Sequence, residues 1–523
     1  MVFSFHPPRH ADGNYCVRPA DMRAWEGAEI EAVPGRGHEL MEIAGREVAM
    51  RVLEKYADTR EVLVFCGPGN NGGDGLVAAS YLKRCGIAVT VFAFDDETKN
   101  RADARHCCES SMVIRSAEGL ADVRASARRR DIVAIDAIYG TGFHASRNAL
   151  MAQVCEAIAA LECPVVSVDV PSGIDALTGR RGIYGSDASE PQAVVATDTV
   201  TFGAPKFGHF LGDGPGCCGD LVCADIGLQD WPAALSRMRV LSDAWCARAY
   251  GRAFERAHDV HKGRCGHVVV IGGHVTMPGA SSLAARAALR TGAGKVSIGA
   301  RHAFRAPDEI MMRELCPFNA GLETGWLAML VESADCLVVG PGLGRDPQST
   351  RVLMEIDEFK GSLVLDADAL WALSRLDRTF ASSEIVLTPH PGEAALLLGC
   401  SVSDILEDPV SSAQKIMEKY RATVILKSHA TVISSPGESG QPARLAVLPY
   451  PNPSIATAGA GDVLAGMVGG LIAQCRCGAT ARKLDTFDLA AIAVNAHSAA
   501  GRRAAEKLGN AACASDIIAE IHT

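Results

Sequence analysis

The 523-residue chain reads as an α/β protein built from two tandem doubly wound domains. Short continuous runs of β-branched and aliphatic residues recur along it, and such runs mark strands buried on both faces of a parallel sheet. Helix-like stretches separate the runs, the alternation that places helices on either side of such a sheet. The length also exceeds what one hydrophobic core usually serves. A total of 52 Gly with only 5% aromatic residues suits a fold with many small-residue turns.

In the first half, Glu61-Val62-Leu63-Val64-Phe65-Cys66 is a buried strand, followed by a Gly-rich turn and a helix over 76–84. Strands at 88–94, 131–135 and 164–168 come next, the last two running directly into Asp136 and Asp169. The pattern weakens after Ile226, and 231–250 shows no strand. Residues 1–230 are therefore expected to form one domain, 231–250 a linker and 251–523 a second domain. There the predicted strands are 267–271, 295–298, 336–339, 362–365, 385–387 and 423–426, and two apolar helices cover 463–474 and 489–505.

A net charge of −10 argues against a nucleic-acid partner, although helix termini can bind small anions whatever the global charge. The 18 Cys include no Cys-x-x-Cys pair and read as reduced, mostly buried thiols. Met1 to His10 lacks an apolar signal core, and no run reaches the ~18 apolar residues of a membrane helix. A cytoplasmic protein without membrane contact is expected.

The strand at 61–66 opens into Gly67-Pro68-Gly69-Asn70-Asn71-Gly72-Gly73-Asp74-Gly75. This matches a Gly-x-Gly-x-x-Gly phosphate loop, with Asp95 at about the right distance beyond it. Asn70, Asn71 and Asp74 add polar side chains that a plain phosphate loop does not need. Asp136-Ala137-Ile138-Tyr139-Gly140-Thr141-Gly142 and Asp169-Val170-Pro171-Ser172-Gly173-Ile174-Asp175 close two further strands. Carboxylate, amide and hydroxyl oxygens on neighbouring strand ends suit a hard cation. Each Asp alone also serves as a turn former or cap.

These three loops resemble those of the NAD(P)H-hydrate epimerase domain over about residues 20 to 225, a match that includes Ala204-Pro205-Lys206-Phe207-Gly208-His209. The resemblance implies a Rossmann-like fold. It implies that Asn71, Asp136 and Ser172 ligate potassium and that Asn70, Asn71, Gly72, Gly73, Asp74, Gly140, Thr141 and Gly142 hold the hydrated nucleotide. Asp169 would stand beside the reacting ring as acid/base.

In the second half, Thr457-Ala458-Gly459-Ala460-Gly461-Asp462 opens an apolar helix. Free backbone amides and the positive end of the helix dipole then face one point, with Asp462 in the first turn. That arrangement suits phosphoryl transfer, the amides stabilising the transferring group and the carboxylate taking the proton of an attacking hydroxyl. Around it stand His261-Lys262-Gly263, Pro278-Gly279-Ala280, Gly340-Pro341-Gly342-Leu343-Gly344, Leu365-Asp366-Ala367-Asp368 and Thr388-Pro389-His390-Pro391-Gly392-Glu393.

Together these motifs resemble the ADP-dependent NAD(P)H-hydrate dehydratases of the ribokinase-like superfamily, over about residues 250 to 515. The resemblance implies that Ala280, Gly344, His390 and Asp462 contact the hydrated nucleotide, and that Lys427, Ser428, His429, Ala430, Thr431 and Gly461 hold the ADP. Read without it, His390 beside Pro391 is structural. Glu393 is either an organiser of magnesium through water or a first-turn helix carboxylate. Two departures stand out: Ala458 and Ala460 replace residues of the usual Gly-Gly-Ser-Gly-Asp, and Met277 replaces a Tyr.

The expected protein is a fused enzyme for damaged NADH and NADPH. One domain would interconvert the epimers of the hydrated forms (NADHX and NADPHX), and the other would dehydrate one epimer at the expense of ADP. Potassium, magnesium and ADP are the expected cofactors, and a homo-oligomer is expected. The rival is a vitamin or sugar kinase fused to a non-catalytic nucleotide-binding module.

Overall fold

A computed structural model of the chain describes residues 4–5, 15–94, 113–115, 131–185, 190–229, 236–251, 253–256, 258, 260–315, 325–376, 380–382, 384–437, 441–449, 452–478 and 483–522. Asp95 lies outside them. The chain divides into two compact units, Met1–Val240 and Leu241–Thr523. Among the described residues no helix is long and apolar enough to cross a membrane.

The first unit holds an all-parallel sheet in the order Ser4–Phe5, Asp220–Ala224, Asp198–Phe202, Val165–Val168, Ile132–Ala137, Glu61–Cys66, Ala88–Ala93, Val113–Arg115. The strand order reverses at Glu61–Cys66, whose flanks are the next strand in sequence on one side and Ile132–Ala137 on the other. Ligands bind at the carboxyl ends of strands flanking such a reversal. The loops after these two strands press together there: a Cβ on Gly67 would lie 2.0 Å from the Ile138 carbonyl oxygen.

Four strands here escaped the sequence reading: Ser4–Phe5, Val113–Arg115, Asp198–Phe202 and Asp220–Ala224. Asp198-Thr199-Val200-Thr201 looks polar, yet it is fully buried. Asp198 satisfies its charge against Lys55 Nζ at 2.8 Å and against Arg51 and Tyr56. A strand whose polar atoms are paired internally leaves no apolar run to detect.

The Gly-rich segment is also corrected. Only 67–69 is loop, and the helix is Asn70–Arg84 rather than 76–84. Its glycines serve close packing: a Cβ on Gly72 would meet Gly67 O at 2.0 Å, and one on Gly75 would meet Ala137 Cβ at 2.5 Å.

The second unit's strands run in the order Met311–Glu314, Lys295–Ala300, His267–Ile271, Cys336–Val339, Ser362–Leu365, Ile385–Leu387, Thr423–Leu426, Thr431–Ser435, Arg444–Leu448. They are parallel as far as Thr423–Leu426 and antiparallel beyond it. The order reverses at His267–Ile271, where a Cβ on Gly272 would meet Pro341 O at 2.1 Å. Both late helices are present, as Ala460–Arg476 and Thr486–Leu508. Their apolar faces join the main core with Val268, Val338 and Ile425 of the sheet. Lys427 to Ala430, expected with Thr431 to hold ADP, form the turn of the antiparallel hairpin between Thr423–Leu426 and Thr431–Ser435.

The span 231–250, expected as a linker without a strand, carries the strand Arg237–Val240 and the helix Asp243–Tyr250. Arg237-Met238-Arg239-Val240 alternates more exposed and buried residues, the pattern of a half-buried strand. A search for continuous apolar runs passes over it. Its partner is Tyr15–Val17, paired antiparallel, with the Arg239 guanidinium 4.0 Å from the Tyr15 ring centroid.

Candidate active sites

In the first unit, a cleft of about 390 Å³ opens at the reversal point. It is lined by Asn70, Asn71 and Asp74 from the helix start, Gly140, Thr141 and Gly142 from the next loop, and Asp169. Arg23 and Glu26 of the helix Pro19–Ala32 also line it. Gly72 and Gly73 pack behind, buried in the helix.

Asp169 follows Val165–Val168 with φ at +65°, a left-handed conformation that Asp tolerates better than most residues. Its amide donates to Val200 O at 2.8 Å. Its carbonyl accepts from His209 Nε2 at 2.9 Å, because Nδ1 of that ring already accepts from the Lys206 amide. Its carboxylate meets Lys206 Nζ at 2.5 Å and the Thr201 hydroxyl at 3.0 Å, and Oδ2 accepts from the Thr141 amide at 3.3 Å.

Burial works against charge on Asp169, but the Lys206 ammonium outweighs it and holds the carboxyl below its ordinary range. Asp74 goes the other way: burial, then the charges of Asp169 and Glu26, push it well above. Burial likewise raises Glu26. One cleft thus holds a carboxyl shifted down, Asp169, beside two shifted up, Asp74 and Glu26. Environments that separate two carboxyls in this way separate a base from an acid.

Asp136 is fully buried and accepts from Ser172 Oγ at 2.5 Å, Ser172 N at 2.8 Å and Ser167 Oγ at 2.9 Å. Ser172 Oγ in turn accepts from the Tyr139 amide at 2.9 Å. Asn71 Nδ2 is buried with no partner, while Asn71 Oδ1 and Asp169 Oδ2 lie 3.0 and 3.1 Å from where a Cβ of Gly140 would stand. Carboxylate, hydroxyl and amide oxygens from three adjoining loops are a hard donor set that fits an alkali cation.

In the second unit, a pocket of about 640 Å³ gathers Lys427, Ser428, His429, Thr431 and Gly461. Ala430 is buried beneath them. Gly459, at φ +88°, caps the helix Ala460–Arg476, and Asp462 sits in its first turn. Burial, reinforced by Asp366, pushes Asp462 up to about 7, with Lys427 opposing. Lys427 Nζ is 2.7 Å from Asp366 Oδ1 and 3.2 Å from where a Cβ of Gly461 would stand.

Two of the predicted substrate residues, Gly344 and His390, stand against Asp368 and Glu393, whose charges act on Asp462. Gly344 donates its amide to Asp368 Oδ2 at 2.9 Å, and Ala280 packs on the neighbouring turn at Gly342. His390 caps the helix Pro391–Leu398 through Nδ1 and lies 3.3 Å from Glu393 Oε1 through Nε2. Glu393 returns Oε2 to the His390 amide at 2.9 Å. Among the described residues no three His, Cys, Asp or Glu converge as a metal cage.

Lys206 and His209 stood in a quoted motif without an assigned role, and Glu26 and Thr201 carried no motif signal. The partnership of Asp366 with Lys427 spans 61 residues of sequence and emerges only in the fold.

Fold and sites define an α/β enzyme with two separate ligand clefts. Residues 37–208 match the family described as YjeF-related protein N-terminus, and residues 268–523 match the NAD(P)H-hydrate dehydratase family. The bifunctional NAD(P)H-hydrate repair enzyme Nnr of Moorella thermoacetica is 36% identical over 496 residues, covering 90% of this chain and 89% of that one. Its namesake in Coxiella burnetii is 34% identical, covering 90% and 91%. Among solved structures, a ribokinase-like superfamily protein from Enterococcus faecalis is 26% identical with a TM-score of 0.45, covering 56% of this chain and 96% of its own. The chain belongs to the family of bifunctional NAD(P)H-hydrate repair enzymes.

Proposed function

We propose that the first unit epimerises NADHX and NADPHX and that the second dehydrates one epimer, consuming ADP. The observation that carries this reading is Asp462, held near neutrality in the first turn of a helix whose amides face the pocket. A general base works best when its pKa lies near the working pH.

In the second unit, Asp462 takes the proton of the ring hydroxyl as its oxygen attacks the terminal phosphoryl group of ADP, releasing AMP. Departure of phosphate from the ring carbon, pushed by the ring nitrogen, leaves an iminium, and loss of a proton from the adjacent ring carbon to water then restores the reduced nicotinamide. Lys427 and the Gly461 amide stabilise charge on the transferring group. Ala280, Gly344 and His390 position the substrate. Glu393, held by the His390 amide, is the residue that would hold magnesium, which would neutralise nucleotide phosphate charge.

In the first unit, Asp169 is the base, aimed by its left-handed backbone and kept ionised by Lys206. Asn70, Asn71, Asp74, Gly140, Thr141 and Gly142 hold the nucleotide. Potassium would be held by Asn71, Asp136 and Ser172, where it supplies a fixed positive charge against the buried carboxylate.

The test mixes the protein with both epimers of hydrated NADH, magnesium and either ADP or ATP, following the reduced-nicotinamide absorbance. Full recovery with one nucleotide supports both activities and identifies the donor. Recovery stopping near half, with spontaneous interconversion slow, removes the epimerase. Accumulation of a stable phosphorylated product would show a small-molecule kinase instead.

A further inference from the structure

One wall of the first cleft carries side chains that no sequence motif announced. Arg23 and Glu26 stand three positions apart on the helix Pro19–Ala32, so both reach the cleft from one face of that helix. Arg23 is exposed, and its Nη1 donates to Thr141 O at 2.9 Å across 118 positions of sequence. Thr141 is thereby gripped twice, since its amide donates to Asp169 Oδ2 at 3.3 Å. The bond to Thr141 uses one of the five N–H groups of the guanidinium. Among the described residues no carboxylate is paired with Arg23, which leaves the other N–H groups for a ligand.

The charges of the lining narrow the ligand. Glu26, Asp74 and Asp169 bring three carboxyls, and among the described lining residues Arg23 is the one Lys or Arg. Lys206 is 1% exposed, its ammonium spent on Asp169 Oδ1, on Thr201 Oγ1 at 2.9 Å and on Phe202 O at 3.2 Å. An anionic ligand in this cleft therefore meets side-chain positive charge at Arg23. The planar fork of an arginine matches two oxygens of a phosphate, and such charge-assisted bonds are among the stronger ones. We propose that Arg23 binds a phosphate group of the hydrated nucleotide, anchoring the substrate while Asp169 acts on its ring. Because Arg23 and Asp169 hold the carbonyl and the amide of the same Thr141, one residue sets the anchor and the base in register. The inference rests on the epimerase role proposed above and adds what fixes the substrate there.

The experiment follows epimer interconversion by chromatography with the full chain, on hydrated NADH, hydrated NADPH and the hydrated reduced riboside of nicotinamide, which has no phosphate. Arg23→Gln should lower kcat/KM on hydrated NADH about tenfold or more, through KM, the scale of a lost hydrogen bond to a charged group. On the riboside the variant should stay within about twofold of wild type, and Arg23→Lys should recover part of the loss on the dinucleotides. Equal losses on hydrated NADH and hydrated NADPH support a contact at the pyrophosphate, and a larger loss on hydrated NADPH supports one at the 2′-phosphate. The wild-type KM for hydrated NADH should also climb with added salt more steeply than that of Arg23→Gln. Parallel salt slopes overturn the proposal, as does an unchanged KM. A loss as large on the riboside as on hydrated NADH overturns it too, leaving Arg23 a tether of the Thr141 loop. A wild-type chain that interconverts none of the three would sink the epimerase reading itself, which separates the two failures.

Discussion

Lys206 Nζ lies 2.5 Å from Asp169 Oδ1, with 1% and 8% of the two residues exposed. The pair joins a strand end to a segment 37 residues later, and the same segment supplies the His209 ring that bonds the Asp169 carbonyl. Two neighbouring residues of one turn therefore fix both the backbone and the charge of the proposed base.

Replacing Lys206 by Met leaves the Asp169 carboxylate buried without its counter-charge. Breaking a buried pair in this way costs about 3–5 kcal/mol. Lys206→Met is expected to lower the melting temperature of the first unit and to cut the epimerisation rate by ~100-fold or more. Dehydratase activity should stay near wild type. Chromatographic separation of the two epimers, alongside calorimetric melting, checks both.

Asp462→Asn keeps size and polarity but removes the base. The dehydration rate should fall by a factor on the order of 10²–10⁴ with nucleotide affinity largely kept. In the wild type, kcat/KM should rise with pH to a plateau above about 7, because the base must be unprotonated in the free enzyme. A profile of the same shape in Asp462→Asn would show that another group titrates.

How much of this was legible in the sequence depended on where the chemistry sat. Asp136, Asp169 and Asp462 each stand where an apolar run meets a small-residue turn, so pattern alone located them. Lys206 stood in plain view within Ala204 to His209, but nothing local reveals that its ammonium reaches Asp169. The strand Asp198–Phe202 was illegible for a related reason: Asp198 is balanced by Arg51, Lys55 and Tyr56, more than 140 positions earlier. The strand Arg237–Val240 alternates over only four residues, too few to separate from a loop.

Asp74 gives a pH signature in stability. Its carboxyl is raised in the folded state, so the stability it contributes is present below the ordinary carboxylate range and is lost as pH rises toward the folded value. Asp74→Asn lacks that loss. The melting temperature of the variant minus that of the wild type should therefore grow as pH increases above about 4. A difference that stays flat with pH would mean that Asp74 is ionised in the folded protein.

Gly140→Ala tests the crowding between loops. The new methyl would stand 3.0 Å from Asn71 Oδ1 and 3.1 Å from Asp169 Oδ2, so one of those groups must shift by a few tenths of an ångström. The expectation is a folded protein with epimerisation slowed about tenfold or more, since small misplacements of reacting groups are costly. Dehydration, measured on the epimer that the second unit accepts, should be unaffected.

The nucleotide pocket is assembled from chain segments made at very different moments of synthesis. Lys427 and Thr431 come from a hairpin in the sheet, whereas Val494, His497 and Ser498 belong to a helix some seventy positions later. A ribosome-bound chain therefore presents no finished adenine cradle until the residues through about 498 have emerged and docked. Fragments released earlier by premature termination would carry the Lys427 turn without its opposite wall.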